Sequence, residues 1–136
     1  DAFLIEGLYL CGITAKLPHH EIDKTALGAT ESVHWRYFNS TVDAVEELKR
    51  AGYKIVSIEQ AEQSISLPEF IPRQTEKYAF VFGHEMKGVD QQIVDRSDCC
   101  VEIPQHGTKH SFNISVSVGI VLYHFYYQFT GNFRDF

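Results

Sequence analysis

The segment 78–82, Tyr-Ala-Phe-Val-Phe, is apolar along its whole length and runs directly into Gly83. A strand without alternating polar residues has both faces buried, which is typical of a parallel sheet covered by helices. Other short segments rich in apolar, aromatic and β-branched residues recur along the chain, separated by helical or loop segments, at 8–13, 33–38, 53–58 and 99–103. This alternation predicts an α/β fold with a mostly parallel sheet flanked by helices.

The clearest helix signal lies just after the second of these runs. Ser40 can cap a helix in which Val42, Val45 and Leu48 share one face at helical spacing. Gly52 is expected to end that helix, because glycine readily adopts the left-handed conformation found after helix termini.

Other short segments carry turn and cap signals. Residues 19–27 predict a helix that ends near Gly28, and residues 90–96 predict a second short helix. Residues 59–76 contain two prolines and many polar groups, which predicts that most of this segment is loop.

The segment 111–129 is the most apolar part of the chain and combines two patterns. Its first residues alternate as in a strand, but a strand of this length would be unusual, so we predict a helix capped by Ser111. Polar residues within the segment argue against a membrane span. Its aromatic rings exceed what one buried stripe needs, which predicts contact with a partner subunit. These rings are Tyr123, Phe125, Tyr126, Tyr127 and Phe129.

The size and charge of the chain limit its class. With 136 residues it is predicted to form a single domain, 1–136. The formal net charge of −6 argues against binding nucleic acid by charge alone, although it is compatible with a local basic patch. Cys11, Cys99 and Cys100 lack metal-binding spacing, and no signal peptide is visible, so we expect reduced thiols and a cytoplasmic location.

Two loops follow predicted strands, where open α/β sheets bind their ligands. The first is Gly-His-Glu-Met-Lys-Gly at 83–88. It fits either a tight turn with glycines at positive φ or a phosphate-binding loop. The phosphate-binding motif needs Lys and then Ser or Thr at its end, whereas Val89 and Asp90 follow here and Glu85 would repel phosphate.

The second loop begins with Ile-Pro at 103–104 and leads into Ser-Phe-Asn-Ile-Ser at 111–115. Taken alone, it fits a capped helix with polar residues near its first turn, where free N–H groups are available. Taken together, the two loops form an ordered pattern. G-x-E-x-x-G follows a strand, Ile-Pro ends the next one, and S-[apolar]-N-[apolar]-S opens a long apolar helix.

This order, spacing and residue type resemble the second and third motifs of the SpoU (TrmH-like) family of RNA 2′-O-ribose methyltransferases, in the SPOUT superfamily. The resemblance covers nearly the whole chain and is specific in its last 60 residues. It implies a deep trefoil knot in the C-terminal half and S-adenosylmethionine bound within that knot. By the resemblance, five positions contact the cofactor, largely through backbone groups. These positions are Ile58, Gly83, Ile103, Ser111 and Phe112, where Phe replaces the more usual Leu.

The resemblance also implies the chemistry, which is methyl transfer to a ribose 2′-hydroxyl of tRNA or rRNA without a metal. The catalytic positions carried over are Glu85, Asn113 and Ser111, which would orient the ribose and an activating Arg. The family's first motif supplies that Arg shortly before a segment like Asp-Ala-Phe. Because this sequence starts with Asp-Ala-Phe, we expect the Arg and a preceding strand to lie upstream of Asp1.

Contacts to the RNA substrate are expected from cations that flank the two motifs, namely Lys87, His106, Lys109 and His110. The family implies a homodimer, which we expect to form through the C-terminal helix. Two alternatives stay open. One is a non-catalytic RNA-binding relative with the same fold, and the other is an unrelated α/β nucleotide-binding module.

Overall fold

The computed structural model describes residues 1–16, 28–108 and 111–131, so the helix expected at 19–27 lies outside the described residues. The chain divides into two compact units, Asp1–Glu47 and Leu48–Phe136. The elements in chain order are β1 (Leu8–Cys11), α1 (Ala29–Ser32), β2 (Trp35–Phe38), α2 (Thr41–Arg50), β3 (Tyr53–Ile58), β4 (Ile65–Ser66), a 3₁₀ helix (Leu67–Glu69), β5 (Lys77–Phe82), α3 (Gln91–Arg96), β6 (Cys99–Glu102) and α4 (Ile114–Thr130).

The first unit is built around the parallel pair β1 and β2. The rings of Tyr9 and Phe38 lie 4.9 Å apart, and the Arg36 guanidinium covers the Phe38 ring at 4.8 Å while pairing with Glu47. The strand expected at 33–38 begins two residues later than predicted. The short helix α1 precedes it and ends at Val33, and this four-residue helix has no periodic signal in the sequence.

The helix α2 begins and ends as the sequence predicts. The Ser40 hydroxyl oxygen accepts a hydrogen bond from the Val42 amide at 3.2 Å, which satisfies one of the free donors of the first turn. At the other end, the Gly52 amide donates to the Lys49 carbonyl at 3.0 Å, and Gly52 adopts a φ of 87°. This left-handed conformation is readily available to glycine and ends the helix.

The second unit contains a four-stranded sheet in the order β4-β6-β3-β5, in which every pair of neighbours is parallel. Ile55 pairs with Ala79 of β5, and Val56 pairs with Cys99 of β6. The predicted fold class, α/β with a parallel sheet flanked by helices, is confirmed. The trefoil knot stays a prediction, as does the single domain over 1–136.

The core of the second unit forms where α4 packs against the sheet. Val121 of α4 is fully buried together with Val56 and Val101. The Phe125 ring lies between Tyr78 at 5.4 Å and Phe80 at 4.9 Å, in edge-to-face arrangements that favour aromatic packing. None of the helices within the described ranges is long and apolar enough to cross a membrane.

The start of α4 differs from the prediction. The N-cap is Asn113, whose Oδ1 accepts the Ser115 amide at 2.8 Å, so the expectation that Ser111 caps this helix is wrong. Serine and asparagine both cap helices well. Asn113 is the cap here because the backbone of residues 111–113 lies outside the helix. In α3, by contrast, the Asp90 side chain caps the predicted helix by accepting the Gln92 amide at 2.9 Å.

The segment 59–76 is mostly loop, as predicted, but it adds one strand to the sheet. Ile65 pairs with Val101, and Ser66 pairs with Glu102, in a parallel register. A 3₁₀ helix follows, in which Leu67 is buried. A strand of two residues has no alternation to detect, so only its pairing with β6 identifies it.

Candidate functional site

A cavity of about 730 Å³ lies at the carboxyl end of the sheet in the second unit. The strands β6, β3 and β5 are parallel neighbours, so the segments that follow them emerge at the same edge. All five positions expected to contact the cofactor line this cavity. They are Ile58 at the end of β3, Gly83 after β5, Ile103 after β6, and Ser111 and Phe112 before α4.

The loop 83–88 closes on itself at the mouth of the cavity. The His84 amide donates to the Gly88 carbonyl at 3.0 Å, and the Gly88 amide donates to the His84 carbonyl at 2.7 Å. Gly88 has a φ of 69°, which disfavours residues with a side chain. A Cβ placed on Gly83 would overlap the backbone of Gly88 and Val89, so the two ends of the loop touch only because Gly83 is a glycine.

Glu59 connects this loop to the strand beside it. Its backbone amide donates to the Val101 carbonyl at 3.1 Å, and its Oε2 accepts the Val89 amide at 2.7 Å across 30 residues of sequence. The sequence analysis did not single out Glu59. The signal that could have found it is an acidic side chain directly after β3, facing a glycine-bounded loop at the same sheet edge.

The cavity lining carries an excess of negative charge. Its ionisable side chains include four carboxylates and one lysine, namely Glu59, Glu62, Glu85, Glu102 and Lys87. The acidic side chains favour a ligand with positive charge. Burial raises the pKa of the nearby Cys100 thiol above its usual range, and the charge of Glu59 raises it further. In the part of the chain that the structure describes, no three His, Cys, Asp or Glu side chains are grouped as metal ligands.

The predicted catalytic and RNA-contacting residues are only partly brought together. Glu85 and Lys87 are exposed on the loop 83–88 and line the cavity, together with Ser111. Asn113 is not among the lining residues, because its side chain turns to cap α4. His106 is exposed outside the lining. Lys109 and His110 lie outside the described residues.

Comparison with known proteins identifies the family. The model of the SpoU rRNA methylase family matches residues 1–123, which is most of the chain. The chain belongs to the SpoU rRNA methylase family. This membership excludes the unrelated nucleotide-binding module that the sequence left open, and it agrees with the two motifs that meet at the cavity.

Individual members of the SpoU family extend beyond this chain. A tRNA (guanosine(18)-2′-O)-methyltransferase from Borreliella burgdorferi is 32% identical over 120 residues, which are 88% of this chain and 54% of that protein. The A. aeolicus TrmH/SpoU tRNA modifying enzyme has a TM-score of 0.75 at 28% identity, covering 92% of this chain and 63% of that one. AviRb from Streptomyces viridochromogenes, in complex with AdoMet, has a TM-score of 0.82 at 21% identity, covering 96% of this chain and 52% of that one, and shares the fold. The matched part spans 54% of the tRNA methyltransferase from Borreliella burgdorferi and 46% of the one from Aquifex aeolicus, but only 5% of a mouse relative.

Proposed function

We propose that this chain forms the S-adenosylmethionine-binding part of an RNA methyltransferase that modifies a ribose 2′-hydroxyl of tRNA or rRNA. The observation that carries the proposal is the cavity at the carboxyl edge of the sheet, which is lined both by the loop 83–88 and by Ile103, Ser111 and Phe112. Membership in the SpoU family supports the same assignment. A further support is that relatives are named as tRNA and rRNA 2′-O-methyltransferases.

The cavity suits this cofactor in charge and in shape. S-adenosylmethionine carries a sulfonium and an ammonium group against one carboxylate, so it has a net positive charge that the four lining glutamates complement. Glycine at positions 83 and 88 leaves backbone groups uncovered by a side chain at the cavity wall. A ligand held by such groups depends little on the neighbouring side chains, which is consistent with Phe112 in place of Leu.

The cofactor supplies a methyl group on a positively charged sulfur, and the protein must place a ribose hydroxyl against it. We assign Glu85 to orienting the ribose, since its carboxylate is exposed at the cavity mouth. Ser111 adds a hydroxyl to the same lining. Holding the two reacting groups together in this way removes much of the entropic cost of the reaction.

The RNA would approach the cavity from the side of its exposed cations. Lys87 lies on the cavity mouth, and His106 is exposed on the segment after β6. With Lys109 and His110 they would form a local positive patch within an otherwise acidic protein.

We also propose a homodimer that forms through α4. Val116 and Tyr123 of this helix are 48% and 50% exposed, although both are large and apolar or aromatic. A second cavity, of about 470 Å³, lies beside Tyr123 between α4 and the 3₁₀ helix, and its lining includes Leu67, Ile103 and Ile120. A second copy packed on α4 would cover these surfaces.

We also propose that the C-terminal half forms a trefoil knot and that the protein is located in the cytoplasm.

Calorimetric titration of the folded chain tests the cofactor assignment. We expect roughly stoichiometric binding of S-adenosylmethionine and S-adenosylhomocysteine and no binding of ATP. Gly83→Ala should abolish binding, because the added Cβ overlaps the loop backbone. Gly107→Ala is the matched control, since a Cβ there meets nothing within 4 Å and Gly107 does not line the cavity.

The outcomes separate the alternatives. A folded wild-type chain that gives no heat with either cofactor form would contradict the proposal. Cofactor or RNA binding without methyl transfer by the full-length protein would favour the non-catalytic RNA-binding relative.

A further inference from the structure

The side chain of Glu59 lies where β3 ends and reaches the exit of the neighbouring loop 83–88. We infer that Glu59 is a positioning residue that holds this loop closed, and so places Glu85 at the mouth of the cavity. The effect on methyl transfer rests on the proposed function, whereas the effect on the loop does not.

The backbone of Glu59 is held in the sheet, and its carboxylate binds the loop 83–88. Its backbone is held in the sheet by the hydrogen bond from its amide to the Val101 carbonyl, at 3.1 Å. Its Oε2 accepts the amide of Val89, the first residue after the loop, at 2.7 Å. A charged acceptor makes a stronger hydrogen bond than a neutral one, and this one is half-buried, where water competes less.

The loop itself has few other attachments within the described residues. His84 and Gly88 bind each other through two backbone hydrogen bonds, which close the loop but do not connect it to another element. Its three central residues are exposed, and Met86 is 91% exposed. The hydrogen bond from Val89 to Glu59 therefore joins the closed loop to β3.

Glu59 and Gly88 also depend on each other sterically. A Cβ on Gly88 would collide with Oε2 of Glu59, in addition to the strain that a side chain meets at a φ of 69°. The Glu59 carboxylate thus occupies the space that a side chain at position 88 would need. Replacing one of the two residues changes what the other position can accept.

Amide hydrogen exchange tests the inference without any ligand. In Glu59→Ala, we expect the amides of Gly88 and Val89 to exchange at least tenfold faster than in the wild type. Glu59→Gln keeps an oxygen acceptor and should retain part of the protection. Glu69→Gln, a matched change of an exposed carboxylate on the 3₁₀ helix, should leave both amides as in the wild type.

Strand amides such as that of Val56 report global stability, so unchanged exchange there shows that the variants are folded. Unchanged protection of Val89 in folded Glu59→Ala would overturn the inference. If this variant fails to fold, the same comparison is made with Glu59→Gln, for which wild-type protection of Val89 and a wild-type turnover number together would overturn it.

A double-mutant cycle adds a test of the steric pairing. Gly88→Ala in the wild type meets both backbone strain and the Glu59 carboxylate, whereas in Glu59→Ala it meets the strain alone. We expect the combined increase in loop exchange to be smaller than the product of the two single increases. Strictly multiplicative effects would contradict the contact.

The functional consequence is measured as the methyl transfer rate of the full-length protein at saturating cofactor. Glu59→Ala should lower the turnover number at least tenfold, and Glu59→Gln should recover part of it, whereas a purely structural role would change thermal stability alone. If Glu59→Ala speeds loop exchange but the wild-type protein methylates no RNA, the inference about the loop stands and the proposed function is rejected. Wild-type turnover in a Glu59→Ala variant with an open loop would overturn the role in placing Glu85.

Discussion

Asn113 caps α4, and its proposed second role, in the active site, stays a prediction. Its Oδ1 accepts the Ser115 amide at 2.8 Å and so caps the helix. The amide group has a second polar atom, the donor Nδ2, which capping does not use. A role in the active site therefore requires Nδ2 to reach the substrate. The hydrogen bond between Oδ1 and the Ser115 amide would hold the side chain in one orientation for this contact.

Two substitutions separate these roles of Asn113. Asn113→Ala removes both and should cost about 1 kcal/mol of stability together with at least tenfold in methyl transfer. Asn113→Asp keeps the capping oxygen but lacks the N–H donor, so we expect near wild-type thermal stability with the same loss of activity. Thermal unfolding and tritiated methyl transfer to bulk RNA measure the two effects. Full activity of Asn113→Asp would assign Asn113 to capping alone.

Glu85 offers a cleaner test, because it is exposed and its loss should hardly change stability. If it orients the ribose, Glu85→Ala in the full-length protein should lower methyl transfer at least tenfold, or about 1.4 kcal/mol of transition-state stabilisation. Cofactor affinity should fall less, since the expected cofactor contacts are backbone groups. Glu69→Gln, a change at another exposed carboxylate, is the control. A wild-type rate of methyl transfer in Glu85→Ala would show that another residue orients the ribose.

At the scale of elements, α4 uses one face for the core and leaves another open. Val121 and Phe125 are four residues apart and pack against the sheet. Val116 and Tyr123 are seven residues apart, so they share a different stripe of the helix, which is half exposed. An apolar stripe of this kind is more typical of an interface than of a surface in contact with water.

Light scattering tests whether α4 forms that interface. We expect a dimer mass at micromolar concentration, with about 1,600 Å² buried in total for an interface of standard size. Tyr123→Glu should give a monomer, because it places a charge within the apolar contact. Gln92→Glu adds the same charge on the exposed side of α3 and should leave the dimer intact. A monomer mass for the wild type would contradict the proposal.

At the scale of the whole chain, the net charge of −6 over residues 1–136 limits how this part of the protein could contact the proposed RNA substrate. An acidic segment gains little from long-range attraction to phosphates, so we expect its RNA contacts to depend on a few basic residues. Those expected here are Lys87, Lys109 and two histidines. The acidic cavity lining would at the same time keep phosphate groups out of the space proposed for the cofactor.

The salt dependence of RNA binding measures this directly. With the two lysines Lys87 and Lys109 in contact with phosphates, the slope of log K against log salt should be about −1.4 for single-stranded contacts. Lys87→Ala should reduce its magnitude by about 0.7. Lys54→Ala is the control, since Lys54 lies near the amino end of β3 and pairs with Asp98. Fluorescence anisotropy with labelled tRNA would give both slopes, and an unchanged slope in Lys87→Ala would remove it from the RNA contact.

Features of this protein that depend on residues close together in the chain can be predicted from the amino-acid sequence. The segments at 53–58 and 78–82 are strands, because aromatic and β-branched residues favour a pleated, partly buried surface. Ser40 and Asp90 cap the helices that follow them, because a cap acts over two or three residues. The paired motifs at 83–88 and 103–115 also indicate the SpoU family without any tertiary contact.

Only the tertiary structure decided the features that join distant segments. The two-residue strand β4 is defined only by its pairing with β6. Asn113 caps α4, rather than Ser111 as predicted, because the backbone before Asn113 lies outside the helix. The contact of Glu59 with Val89 spans 30 residues and arises because parallel neighbouring strands end at the same sheet edge. Local patterns contain no information on such contacts, since these form only when the sheet has been assembled.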